Sequence, residues 1–279
     1  MGFKSRHSER DSNLPKSREI ILSRAMEDLT ADPDVLAVYL GGSLAKGDYD
    51  NYSDIDLHTI VAPGKRVEFI KNKRVRAERW GNILFHEDAN PLGPVVVTHY
   101  IPFIKVDSWY HAPEEIVPSI WLKGVDVLHD PKGIISNTIK ESSNISYILS
   151  TQEVEVWKSK ILAFAHETYR AVMREEIYHA ESNLDKMRWL VVLGWYMEEE
   201  RHFDASYGSW SKIEGRRSIL NERQLTLLRK WKCGKVEAEI MNVLVGMTPE
   251  ILRLNEVLSE KVEIKTDQEQ FKSILEMSH

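Results

Sequence analysis

The sequence predicts an α+β fold: a small mixed sheet with helices in the first half, followed by an α-helical bundle. Three observations carry this. Short apolar runs alternate with helix-like segments through the first half; a polar break, Glu141-Ser-Ser-Asn-Ile-Ser146, follows; from Thr151 onward apolar residues recur at helical steps of three and four. The break divides the chain into an expected first domain, 1–145, and a helical domain, 146–279.

The first half begins with a helix over 12–30, with Pro15 near its start and Ile20, Ile21 and Leu29 at amphipathic spacing. Asp32-Pro33-Asp34 turns the chain into a strand at 35–40. Gly41-Gly42-Ser43 leads into a short helix, and Asp54-Ile55-Asp56 opens a strand that runs on to Val61. A basic segment at 65–79 precedes strands at 82–86 and 95–107, a stretch holding Pro113 and Pro118, and a strand at 125–129. In the second half, Trp157, Ile161, Phe164, Thr168 and Val172 form one helical stripe, and Ile177, Ala180, Leu184, Met187 and Val191 form another. Thr248-Pro249 has the form of a capped helix start, with Gly246 ending the helix before it.

The chemistry concentrates in GGSLAKGDYDNYSDIDL. Side chains on a strand alternate between faces, so Asp54 and Asp56 share one face while Ile55 and Leu57 point to a core. Two carboxylates on one rigid edge suit Mg²⁺, which prefers oxygen ligands and is usually held by one or two carboxylates plus phosphate oxygens. Gly41 and Gly42 let the backbone turn sharply and approach an anion, and Ser43 is placed to cap a short helix whose amides face phosphates. Either half alone fits an ordinary turn or a solvated strand edge. Their conjunction, with ten residues between Ser43 and Asp54, points to nucleotidyl transfer.

G-G-S followed at this distance by S-D-I-D-L resembles the signature of the DNA-polymerase-β-like nucleotidyltransferase superfamily, and most of all antibiotic adenylyltransferases. The resemblance implies that Gly42 and Ser43 hold a triphosphate with Ser53 nearby, that Asp54 and Asp56 bind metal, and that a third acid on a later strand completes the site. Lys46 stands where the family usually carries Arg; it keeps the charge and loses the planar fork. The third acid is expected at Asp107, because Lys105 and Asp107 lie opposite Ile104 and Val106 and so beside the Asp54–Asp56 face if the strands are neighbours. Asp88 and Asp126 are its rivals.

The helical half resembles the carboxy-terminal half of streptomycin-type aminoglycoside adenylyltransferases. Short patches carry this: Trp157, Arg174-Glu-Glu-Ile-Tyr-His-Ala180, Met187-Arg188-Trp189, Ser206-Tyr207-Gly208 and Lys212. It implies an acid presented to the antibiotic, Glu175 or Glu176, or else two exposed helix carboxylates near Arg174 and His179. The expected cofactor is Mg²⁺, with ATP or another nucleoside triphosphate as co-substrate. The expected acceptor is a small hydroxylated molecule, aminoglycosides first, bound by a monomer or homodimer. Nucleotidylation of a protein or RNA, and a non-catalytic nucleotide-binding regulator, are the alternatives.

Composition narrows the class further. Hydrophobic content of 42% with 29% charged residues is that of a core-forming globular chain rather than a disordered one. The net charge of −6, spread evenly over both halves, opposes a nucleic-acid-binding role. The basic cluster at 65–79 reads as a solvated face, with RNA contact or a phosphate-facing edge as the sharper options. One cysteine, Cys233, leaves no intramolecular disulfide and fits a reducing compartment. Residues 1–13 are polar with no apolar leader segment and no run reaches membrane-spanning length, so a cytoplasmic protein is expected. Gly42 to Gly47 has P-loop glycine spacing, but Asp48 and Tyr49 replace the required Lys and Ser/Thr. No GxGxxG or HExxH occurs, Ser43 lacks a GxSxG elbow, and His99, His111 and His129, without ligand spacing, are expected at strand ends or the surface.

Overall fold

The computed structural model describes residues 5–279; the start of the polar stretch 1–13, residues 1–4, lies outside the described residues. The chain divides into two compact units, Met1–Ser146 and Tyr147–His279.

The first unit is built on a six-stranded mixed sheet of order β3-β4-β5-β2-β1-β6. Its strands are β1 (Val35–Leu40), β2 (Ile55–Val61), β3 (Ile83–Glu87), β4 (Val95–Tyr100), β5 (Ile104–His111) and β6 (Asp126–His129). Every pairing is antiparallel except β2 with β5, which run parallel. One face is apolar: Val38, Leu40, Ile55, Leu57, Ile104, Val106 and Tyr110 pack with Leu14, Ile21, Ala25 and Leu29 of α1 (Ser8–Thr30) and Phe69 and Ile70 of α3 (Arg66–Ala77). The other face carries a small cluster, Ala37, Tyr39 and Ile60 with Leu122 and Ile135, the last from α4 (Ile134–Ser142), and leaves the acids of β2 and β5 beside it.

Three expectations for this unit need correction. The apolar run at 95–107 is two strands, because Ile101, Pro102 and Phe103 form a tight connection between β4 and β5; Pro102 has no N–H to give a ladder. Asp107 therefore belongs to the second strand. Helix α1 starts at Ser8, well before Ser12, and Pro15 lies inside it. The Asp11 carbonyl, which Pro15 cannot serve, accepts a long bond of 3.4 Å from Asn51 Nδ2 instead. Finally, the basic segment is only partly a solvated face. Lys73 is buried against Asp88 at 2.8 Å, while Arg76 and Arg79 pair with Asp28 and Arg76 also reaches Asp32.

The second unit is helical: α5 (Thr151–Met173), α6 (Ile177–Glu198), α7 (Glu222–Lys230), α8 (Glu237–Lys261) and α9 (Gln268–Glu276). Ser150 caps α5 by accepting from Glu153 N, with the Glu153 carboxylate returned to Ser150 N. The two predicted stripes meet in one core, where Trp157, Ile161, Leu184, Met187 and Val191 join Leu244, Met247, Ile251, Leu254 and Leu258 of α8. That last stripe is unbroken, so Gly246 does not end a helix and Thr248-Pro249 does not begin one. Continuous burial outweighs the local signal, and Trp231 Nε1 donates to the Gly246 carbonyl at 3.2 Å. Cys233 is a free, half-buried thiol, and no helix among the described residues is long and apolar enough to cross a membrane.

Candidate active site

The site forms where β1 ends and β2 begins. Leaving β1, the chain turns at Gly41, whose N–H donates to the Asp56 carbonyl at 2.9 Å and so fastens the turn to β2. Gly42 then takes the left-handed conformation at φ 61° and opens α2 (Gly42–Lys46), which Gly47 closes at φ 74°. A Cβ on Gly42 would stand 1.7 Å from Asp56 Oδ2. Only glycine leaves room for that carboxylate. Ser43 is buried in the first turn of α2 and does not cap it; Gly41 holds the cap position without a side-chain bond.

The loop from Gly47 to Asp54 is tied to α1. Arg18 donates to the carbonyls of Asp50 at 3.0 Å and Ser53 at 2.8 Å, and the Tyr52 hydroxyl donates to Asp11 Oδ2 at 3.0 Å. Ser53 is buried, and its hydroxyl accepts from Asp50 N at 2.9 Å. Ser53 thus sets the course of the backbone into Asp54. Lys46 sits at the exposed end of α2, with its side chain over Gly124, where a Cβ would approach Lys46 Cε to 2.8 Å.

Parallel pairing of β2 with β5 puts Asp56 level with Asp107 and Ile55 level with Val106. Asp54, Asp56 and Asp107 are all half-buried, and each offers a carboxylate oxygen within 4.8 Å of the others. Lys105, two residues before Asp107 on the same face, bridges them: Nζ lies 2.7 Å from Asp54 Oδ2 and 3.0 Å from Asp107 Oδ1. Burial opposes the lysine's charge, but its bond to Asp54 and the charges of both carboxylates hold its pKa well above the usual value. On Asp107 the same lysine favours ionisation; burial, with the negative charges of Asp54 and Glu87, outweighs it and raises the carboxyl's pKa.

These residues fit a divalent cation. Three convergent carboxylates supply hard oxygen ligands, the space Gly42 leaves admits the Asp56 carboxylate, and a lysine ammonium already occupies a cation's position between two of them.

Neither Asp88 nor Asp126 joins these three acids. Asp88 is an ion-pair partner of Lys73 and Arg74. Burial raises its pKa, the bonds to both cations overcome this, and the net shift is downward. Asp126 is exposed on the edge strand β6, opposite Leu40. Glu175 and Glu176 are exposed in the turn between α5 and α6, with Glu175 at φ 59° and Glu176 preceding the first residue of α6.

Two features escaped the sequence reading. The bridging position of Lys105 is one. The other is a row of rings that continues the acid face: His58 is two residues beyond Asp56, while Trp109 and His111 are two and four beyond Asp107. Strand parity was the available signal. His58 Nδ1 and His111 Nε2 share a hydrogen bond of 3.0 Å, and burial together with His111 pushes the His58 pKa down to about 3. Burial also lowers His111, against the pull of Glu115. His99 is likewise engaged, with Nε2 2.6 Å from Glu87 Oε1 and its ring stacked on Phe85.

Comparison with known proteins follows the same division. Residues 21–120, from within α1 to the segment before β6, match the family model described as nucleotidyltransferase domain. No curated protein sequence matches the chain significantly. Solved structures to which it is similar include an aminoglycoside 6-adenyltransferase from Bacillus subtilis, with 13% identity and TM-score 0.43 over 94% of this chain and 98% of that one. A nucleotidyltransferase-like protein from Exiguobacterium sibiricum is similar with 10% identity and TM-score 0.42, over 88% of this chain and 77% of that one. The family match spans the turn, both strands and all three converging acids, and it makes the first unit of this enzyme a nucleotidyltransferase domain.

Proposed function

We propose that the enzyme transfers a nucleoside monophosphate, AMP from ATP first among the options, to a hydroxyl of a small molecule. The convergence of Asp54, Asp56 and Asp107 beside the Gly42-Ser43 turn carries this reading. Asp54, Asp56 and Asp107 would hold Mg²⁺, which when bound neutralises phosphate charge and polarises the reacting oxygens. The Gly41–Ser43 turn, with Lys46 at the end of α2, receives the triphosphate. The acceptor oxygen attacks the α-phosphorus, the bond to the pyrophosphate oxygen breaks in line, and the acceptor's proton passes to a carboxylate base, Asp107 or a glutamate of the helical domain. Positioning and electrostatics supply the acceleration, since little covalent chemistry falls to the protein.

An aminoglycoside is the acceptor we place first, on the resemblance of the helical half and the excess of acids over bases at 151–200. The same resemblance gives that acceptor an acid, Glu175 or Glu176, of which we take Glu176 first. Glu176→Gln tests it: the acceptor KM should rise while nucleotide KM stays put. The reading as a whole is tested by a pyrophosphate-release screen of the four nucleoside triphosphates against aminoglycosides and lincosamides with Mg²⁺. Release dependent on one small acceptor supports it. Incorporation of labelled nucleotide into protein or RNA, or nucleotide binding without release, removes it. A cytoplasmic setting and a monomer or homodimer belong to the same proposal.

A further inference from the structure

Along the acid face, past the carboxylates, the sheet carries a row of near-parallel rings. Tyr39 and His58 lie 4.9 Å apart at 7°, His58 and Trp109 6.0 Å apart at 9°, and Trp109 and His111 6.3 Å apart at 5°. Trp121 stands edge-on to His58 at 5.0 Å. Together with the segment at 116–122 these rings wall an open cavity of about 370 Å³. Such a volume is within the range of small-molecule sites, roughly 300–1,000 Å³. Tyr39 and His58 are buried, whereas Trp109, His111, Ile116 and Trp121 keep part of their surface open.

The cavity adjoins the acid site. His58 and Trp109 are each two residues from a site carboxylate on the same strand and face, a displacement of roughly 7 Å. Gly41, which opens the phosphate-facing turn, touches the cavity wall directly: a Cβ there would stand 3.1 Å from Trp121 and 3.2 Å from His58 Nε2. The walls suit a flat ring. Aromatic faces and Ile116 offer stacking and apolar contact. The His58–His111 hydrogen bond requires at least one unprotonated imidazole and leaves His58 Nε2 and His111 Nδ1 to meet the polar edge of a heterocycle. A polycation finds little here, since Glu115 is already paired with Arg66 at 2.9 Å.

We propose that the cavity walled by Tyr39, His58, Trp109, His111, Ile116 and Trp121 binds a planar, uncharged nitrogen heterocycle belonging to one of the two reactants. This rests on the nucleotidyl-transfer reading for the identity of the reactants. Two sources share the chemistry: the base of the nucleoside triphosphate, and a flat heterocyclic ring of an acceptor that is not an aminoglycoside, since an aminoglycoside has no such ring.

The test titrates adenosine, cytidine and quinoline into the full-length protein by calorimetry, with inorganic tripolyphosphate as a control for the acid site. Binding of at least one ring compound is expected, weakened about tenfold or more in Trp109→Leu, the order of loss that follows removal of one stacking partner. Trp109→Phe keeps a stacking ring and should retain binding; His58→Asn should weaken it, giving a second reading if Trp109→Leu fails to fold. Competition of the bound ring with MgATP assigns the cavity to the nucleotide base, and binding alongside saturating MgATP assigns it to the acceptor. Failure of all three compounds to bind at millimolar concentration, or wild-type binding in both Trp109→Leu and His58→Asn, overturns the proposal. Because no turnover is needed, ring binding without pyrophosphate release would remove the transfer reading and leave the cavity assignment standing.

Discussion

Lys105 Nζ lies 2.7 Å from Asp54 Oδ2, on a strand two places across from β1 and on the same face as Asp107. The contact supplies a positive charge to a cluster of three carboxylates. It also competes with any metal for Asp54 and Asp107.

Lys105→Met should therefore have opposite effects with and without a divalent ion. Without one, the variant should melt lower than wild type, because the three carboxylates repel one another uncompensated. On adding MgCl₂ its melting temperature should rise by more than the wild type's, since the ion binds the folded state without displacing an ammonium. Equal Mg²⁺-induced shifts in the two proteins would show that Lys105 does not occupy the metal's place.

Asp54→Asn and Asp56→Asn should each abolish transfer with the fold retained, because each removes a ligand charge from a half-buried edge without opening a cavity. A loss of about 10³-fold or more in kcat is expected where metal-stabilised phosphoryl charge is lost, on a scale of roughly 1.4 kcal/mol per tenfold. Ser43→Ala should be milder and act mainly on nucleotide KM. Steady-state kinetics with matched circular-dichroism melts decide this; Mg²⁺-dependent turnover surviving in both Asn variants would end the metal assignment.

Gly42→Ala should resemble an acid mutant rather than a turn mutant. Its methyl group would overlap Asp56 Oδ2, and the left-handed φ adds strain of order 1–2 kcal/mol. The expected outcome is a stable or mildly destabilised protein with Mg²⁺ binding and turnover both lost. Retention of Mg²⁺ affinity would mean that Asp56 has another resting place.

Asp107→Asn should cost activity but not neutral-pH stability. The Asp107 pKa is raised in the folded state, so its favourable contribution is fully present below the unfolded carboxyl value of about 3.9 and is lost as pH rises through the folded value. At pH 7 the wild type bears that loss and the Asn variant does not. Melting curves should place Asp107→Asn level with or above wild type at pH 7, with the gap closing towards pH 4. A variant clearly less stable at pH 7 would contradict the sign.

Asp88→Asn should behave the other way. Asp88 has a lowered pKa, so its stabilisation is present above about pH 3.9 and is lost as pH falls through the lower folded value. Removing the charge leaves Lys73 buried without its carboxylate, a loss of about 3–5 kcal/mol. Denaturant unfolding should register that cost, while pyrophosphate release at permissive temperature stays near wild type. Normal stability would show that the three carbonyls accepting from Lys73 Nζ, those of Asn90, Gly93 and Val95, suffice to hold it.

Much of this site was readable from parity and spacing. Asp54 and Asp56 flank a core isoleucine, and Lys105 and Asp107 alternate with Ile104 and Val106, so one face collects the polar residues in both strands. The same rule, extended by two and four positions, places His58, Trp109 and His111 on the acid face as well. The turn at 101–103 was hidden inside an apolar run although Pro102 marked it. Thr248-Pro249 misled because a local capping signal says nothing of a stripe of buried leucines and isoleucines on either side. The Lys73–Asp88 and Arg76–Asp28 pairs were beyond reach, since each joins residues from different elements that only the folded sheet brings together.

Parallel pairing of β2 with β5 has a consequence for how this chain tolerates change in length. The excursion between the two strands, through α3, β3 and β4, can gain or lose residues at its loops without moving Asp56 relative to Asp107, because hydrogen bonds across the ladder and not the intervening chain set their level. One residue inserted within either strand ahead of its acid is a different matter: the pleat would turn that carboxylate into the apolar core and bring Ile55 or Val106 to the surface. Homologous chains should accordingly vary freely in the spacing between the Asp-x-Asp pair and the third acid, yet keep an apolar residue immediately before the second and third of these carboxylates.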